Sequence, residues 1–179
     1  MENNLDMKDL LRKETSLSSE LEEMLNKQSK MEATASNKYL AMASWLEVNG
    51  FLHAAEYLYK QAEEEREHFL KLFKYINEVG GVALTPSIDQ VKVDYSSIRE
   101  VFDTALESEI TVTKSINKIV AKCRELNDFA TEEFMMWYVN EQREEEANAR
   151  RALELFDLID VDGESGKFLL DKEIGHIGA

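Results

Sequence analysis

Gln61-Ala62-Glu63-Glu64-Glu65-Arg66-Glu67-His68-Phe69-Leu70 is the stretch on which the fold turns. By itself this acidic run reads as the solvated face of a helix. Yet Glu65 falls on a stripe at alternating three- and four-residue steps, Phe51, Ala55, Leu58, Ala62, Glu65, Phe69, Leu72, Ile76 and Val79, which is apolar on both sides of it. That is the spacing of a buried helical seam. His68, three residues after Glu65, shares the same face. A carboxylate and an imidazole therefore stand where a core is expected.

Outward from this segment, three others repeat the pattern. The first reads Leu21, Leu25, Gln28, Glu32, Ala35, Tyr39, Met42 and Leu46. The third reads Ile98, Phe102, Ala105, Glu109, Val112, Ile116, Ile119 and Cys123, and the fourth Met135, Tyr138, Gln142, Glu145, Ala149, Ala152, Phe156 and Ile159. Each seam is apolar at its ends and carries a glutamate near its middle. The helix breakers divide the chain to match. Gly50, Gly80, Gly81 and Pro86 fall between segments, leaving helices expected over about 19–48, 51–79, 97–126 and 128–160. Ser19-x-x-Glu22 and Ser97-x-x-Glu100 have capping-box spacing at two of the starts.

The connections set the topology. Short turns at Asn49-Gly50 and near Asn127 make antiparallel neighbours. Residues 80–96, with Pro86 and Val91-Lys92-Val93, span up to ~55 Å when extended, against ~45 Å for a 30-residue helix. An all-α four-helix bundle with one long crossover follows, with a short fifth helix expected at Lys167–Ile174. Residues 1–18 form an amino-terminal extension and 19–179 the bundle domain. The loop Asp162-Gly163-Glu164-Ser165-Gly166 lacks the glycine a calcium loop requires, since Ser165 occupies that place.

The composition suits this reading. The chain has 179 residues, 36 acidic against 21 basic, for a net charge of -15. That charge repels phosphate backbones and argues against nucleic acid; it serves solubility, the attraction of cations, or both. One cysteine, Cys123, forms no intrachain disulfide and no cysteine-ligated cluster, and a small core role is expected for it. No apolar run approaches a membrane span and the start carries no secretory signal, so a cytoplasmic protein is expected. His53 and His176 fall off the seams and are expected at the surface. Four glutamates at one buried level must be protonated or matched by cations. Glutamates from several helices together with Glu-x-x-His are how bundles build di-iron sites.

Glu32 before Tyr39, Glu65-Arg66-Glu67-His68, Glu109 and Trp137-Tyr138-Val139-Asn140-Glu141-Gln142-Arg143-Glu144-Glu145-Glu146 together resemble the ferritins, of the bacterial non-haem kind. The resemblance covers about Leu21 to Ile174. It implies iron storage in a 24-subunit homo-oligomeric shell, with ferroxidase activity that oxidises Fe(II) with O₂ or peroxide. It implies a first iron at Glu32, Glu65 and His68, with Glu65 bridging to a second at Glu109 and Glu145 beside Gln142. Tyr39 would stand beside this centre, or serve only in core packing; Trp137 would pack nearby. Glu64, Glu141 and Glu144 match the family's third iron site. Haem is not expected: Arg66 stands where bacterioferritins place the haem methionine, and Gln142-x-x-Glu145 replaces their second Glu-x-x-His. Two other classes stay open at this point. One is a rubrerythrin-like or manganese-catalase-like enzyme, whose centres are richer in histidine; the other is a metal-free interaction scaffold.

Overall fold

The computed structural model describes residues 14–161 and 163–178. They form α1 (Ser19–Val48), α2 (Leu52–Glu78), α3 (Ile98–Leu126), α4 (Phe129–Leu158) and α5 (Glu164–Ile174), with no strand among the described residues. None of these helices is long and apolar enough to cross a membrane.

The helix ends show what each terminus is made of. Ser18, not Ser19, caps α1, its hydroxyl accepting the Leu21 N–H at 3.2 Å. Glu22 is therefore not a capping-box partner; its carboxylate accepts the Val82 N–H of the crossover at 3.0 Å. Ser97 caps α3, accepting the Glu100 N–H at 3.1 Å. The Glu100 carboxylate takes Lys92 at 2.5 Å and the Ser96 N–H at 2.6 Å, which hold its carboxyl down at about 2. Asp128 caps α4 through the Thr131 N–H at 3.0 Å. The turn before it is closed by Asn127 in the left-handed region, at φ 57°. Gly50 supplies the other such turn at φ 86°, a conformation that costs glycine little.

α2 has no side-chain cap of its own. Its first amides are satisfied from the far end of the chain: buried Asp171 on α5 accepts the N–H groups of His53 at 3.2 Å and Ala54 at 2.9 Å. A carboxylate there also meets the positive end of the α2 dipole. α5 begins three residues before its expected start. Gly166 allows this, because a Cβ on it would lie 1.7 Å from the Asp160 carbonyl oxygen. Of the acidic loop, Asp162 lies outside the described residues. Asp171→Ala should cost about 1–2 kcal/mol, the usual loss for a helix cap, and lower the melting temperature; an unchanged melting curve would show that α5 docks through Leu170 and Ile174 alone.

α1 packs antiparallel on α2, α3 on α4, and α1 also on α3. The crossover runs along α1. Val82 and Leu84 bond to Glu22 and Asn26 near its start, Lys30 faces Asp89 at 3.9 Å, and Tyr95 meets the Trp45 ring at 5.9 Å near its end. Residues 14–18 also lie on the bundle, with Leu17 buried and Thr15 donating to the Val79 carbonyl; residues 1–13 of the expected extension lie outside the described residues.

The apolar core comes in two parts. One gathers Met42, Leu46, Leu58, Phe102 and Ala152 around α5, and the other Leu21, Leu25, Leu72, Ile116, Ile119 and Met135. Between them lies a buried polar layer of Gln28, Ser29, Glu32, Gln61, Glu65, His68, Glu109, Gln142 and Glu145. The α1 seam holds residue by residue. On α2, Phe69 is only half-buried and His68 takes the inner place; on α4, Leu155 is buried where Phe156 was expected to be. Cys123 is fully buried, and that burial pushes its thiol up to about 11. His53 and His176 are exposed.

Candidate metal centre

The polar layer exists because four seams place their polar members at one depth. On α1 and α2, Glu32, Glu65 and His68 come together, with ligand atoms all within 4.8 Å of one another and all three side chains buried. The His68 Nδ1 stands 3.5 Å from Glu65 Oε2, too long for a hydrogen bond. Gln28 donates to Glu32 Oε1 at 2.9 Å. Glu32 Oε2 and Glu65 Oε2 are left buried without a hydrogen-bond partner. Two orphaned carboxylate oxygens beside an imidazole nitrogen are what a hard or borderline divalent ion requires, and the donor set fits Fe(II).

A second group belongs to α3 and α4. Glu109, fully buried, accepts from the Tyr39 hydroxyl on one oxygen and from Gln142 Nε2 at 3.2 Å on the other. Thr113 donates to Gln142 Oε1 at 3.0 Å, which fixes the amide so that its NH₂ faces Glu109. Glu145 is buried in the same layer and makes no hydrogen bond among the described residues, although Glu109 and Glu64 bear on its charge.

Burial sets the electrostatics. It lifts the carboxyls of Glu32 and Glu65 well above the usual range. Repulsion adds to this, from Glu65 on the first and from Glu109 and Glu145 on the second. Burial also raises Glu109, against the restraint of the Tyr39 and Gln142 hydrogen bonds, and pushes Glu145 up to about 8. Without a cation these carboxyls keep their protons to higher pH than free ones do, and a divalent ion would displace them.

The remaining expected residues line a cavity of about 310 Å³ between α2 and α4, two helices whose Cα atoms nowhere approach within 8 Å. Glu64, Glu141 and Glu144 face it together with His68 and Glu145, and Gln61 donates to Glu64. Trp137 lies at its wall, its ring edge-on to His68 at 5.3 Å and covered by the Lys71 ammonium at 4.1 Å. One supporting residue carries no individual sequence signal: Thr113, which acts on a different helix from its own. Tyr138, a member of the fourth seam, donates to the His68 carbonyl at 2.8 Å across 70 residues. Gln28, by contrast, sits four residues before Glu32 on the same seam, a spacing that does mark it.

The ferritin-like domain family matches residues 22–159. The chain belongs to that family. It is 38% identical over 161 residues to a probable bacterial non-heme ferritin-like protein of Haemophilus influenzae, covering 90% of this chain and 97% of that one. A bacterial non-heme ferritin of Campylobacter jejuni is 37% identical over 161 residues, covering 90% and 96%. Among solved structures, an open-pore ferritin of the archaeon Archaeoglobus fulgidus superposes with a TM-score of 0.86 at 34% identity, covering 90% of this chain and 98% of that one.

Proposed function

We propose that the protein is an iron-storage ferritin subunit with ferroxidase activity, working in the cytoplasm within a 24-subunit shell. The observation that carries this reading is the buried Glu32–Glu65–His68 group with its two orphaned oxygens, set between two apolar half-cores. On this reading 19–179 is the functional domain and 1–18 an extension of it.

Fe(II) is the substrate. Glu32, Glu65 and His68 take one ion, and Glu109 and Glu145 the second, with Glu65 shared. The two ions together supply the electrons that reduce O₂ or peroxide. Carboxylates favour Fe(III) over Fe(II), so a mostly anionic set promotes oxidation. Gln28 and Gln142 hold one oxygen each of Glu32 and Glu109 in place. Tyr39 orients Glu109 from the other side. The apolar half-cores keep bulk water from the layer, and Glu64, Glu141 and Glu144 offer a third iron site on the cavity side. Nothing in the donor set calls for haem.

Aerobic Fe(II) loading is the deciding experiment. The assembled protein should have a mass close to half a megadalton, from 24 subunits of 20.6 kDa, and retain far more than two irons per subunit. Retention of one or two by such a particle would leave a di-metal enzyme, and retention of none a scaffold. The third site has its own test. Glu141→Ala with Glu144→Ala should lower the anaerobic Fe(II) count per subunit by about one and slow repeated turnover, while the first two-iron oxidation stays nearly intact. Equal counts in both proteins would make these glutamates only a polar helix face.

A further inference from the structure

Thr34, Thr104 and Thr111, each inside a helix, donate to the carbonyl four residues back, at 2.7, 2.7 and 2.8 Å. Thr113 does not. The carbonyl in that position is that of Glu109, and the Thr113 hydroxyl turns instead to α4, where it donates to Gln142 Oε1 at 3.0 Å.

The bond acts through Gln142 on Glu109. Of the four glutamates in the buried layer, only Glu109 accepts a hydrogen bond on each oxygen among the described residues, from Tyr39 and from Gln142 Nε2 at 3.2 Å. Glu32, by comparison, accepts from Gln28 on Oε1 and leaves Oε2 orphaned. While Glu109 is the acceptor, the Gln142 NH₂ stays as Thr113 sets it. An ion bound at Glu109 changes the preference, because it meets the amide hydrogens, the repulsive end of that dipole. Turned over, the amide offers Oε1 to the ion and its NH₂ faces Thr113. A hydroxyl accepts as well as donates, so Thr113 Oγ1 serves both orientations. Thr113 and Gln142 also border a cavity of about 250 Å³ between α3 and α4, which gives the amide room to turn.

We propose that Thr113 is a positioning residue for the second iron: its hydroxyl holds the Gln142 amide first as a donor to Glu109 and then, with the ion bound, as an oxygen ligand. Thr113 itself makes no bond to iron. This rests on the ferroxidase reading above and deepens it, since it names what prepares the Glu109–Glu145 side.

The test titrates Co(II) into the metal-free assembled protein and reads its visible absorption, which needs no oxidation step. Glu141→Ala with Glu144→Ala serves as the parent, so that the cavity glutamates add no ion to the count. The parent should bind two ions per subunit. Thr113→Val, of the same shape but without the hydroxyl, should weaken one of them about 10–100-fold, as loss of an outer-shell partner does. The other ion should bind as before, and the weakened one should be the ion that Glu109→Gln loses. Thr113→Ser, which keeps the hydroxyl, should bind both as the parent does. Unchanged binding of both ions in Thr113→Val, equal loss in Thr113→Ser, or weakening shared by both ions would each overturn the proposal. Aerobic Fe(II) separates the two readings. Two bound Co(II), one of them dependent on Thr113, without any oxidation of Fe(II) would remove the ferroxidase and keep the positioning role. Rapid oxidation together with parent-like Co(II) binding in Thr113→Val would do the reverse.

Discussion

Glu65→Ala should abolish rapid oxidation at two Fe(II) per subunit, by more than the roughly 10–100-fold that loss of an outer-shell partner costs a metal site. Glu65 is the member of the layer on which charges from both helix pairs converge, with Glu32 on one side and Glu109 and Glu145 on the other. On the proposed assignment, removing it takes away the group the two sites share. His68→Ala should weaken mainly the first site and leave slow residual oxidation. Stopped-flow absorbance under air measures both, and a wild-type rate in Glu65→Ala would refute the site assignment. The isosteric Glu65→Gln cannot ionise and opens no cavity, so the metal-free protein should gain stability at the higher pH values where Glu65 would otherwise lose its proton.

The second large effect is on stability against pH in the metal-free protein. Glu32, Glu65 and Glu109 all have carboxyls raised by burial, and Glu145 sits at about 8. The folded state therefore holds protons that the unfolded chain, with carboxyls near 4.3, gives up. Their stabilisation is complete below that value and is lost as pH rises toward 8, at ~1.4 kcal/mol per pH unit for each proton difference. Glu100 acts in the opposite direction: its carboxyl at about 2 gives stability above the unfolded value that is lost as pH falls toward 2. The metal-free melting temperature should thus peak near mildly acidic pH and fall toward pH 8. Bound divalent metal should flatten that fall, with proton release measurable by titration calorimetry in buffers of different ionisation enthalpy. Differential scanning calorimetry across pH 5 to 8 checks the first part. A melting temperature that climbs steadily over this range would show that the layer is not protonated.

Much of this was legible in the residues. The seam of α1 was readable position by position, because Leu21 through Leu46 repeat without a gap and no neighbouring segment competes for the face. On α2 the strict alternation drifted: 3.6 residues per turn and the packing of α5 bring Tyr57, Gln61 and His68 inward and leave Phe69 half-exposed. The gathering of Glu32, Glu65 and His68 was legible because each sits mid-seam. Asp171 as the cap of α2 was not: its partners lie 117 and 118 residues away, and nothing local distinguishes it from other aspartates.

The pairing of helices divides the centre in an unexpected place. Glu32, Glu65 and His68 all lie on the α1–α2 hairpin, and Glu109, Gln142 and Glu145 all on the α3–α4 hairpin. Contacts within each hairpin are closer in sequence than those between the two hairpins, which the crossover must bring together, and contacts of low separation close faster. On the proposed assignment, a nascent subunit with only its first half in place holds ligands for a single ion. Chemistry needing two electrons at once must wait for the second hairpin to dock. Completion of the tertiary structure then acts as a safety interlock, and an unfinished chain binds iron without reacting it with oxygen in pairs.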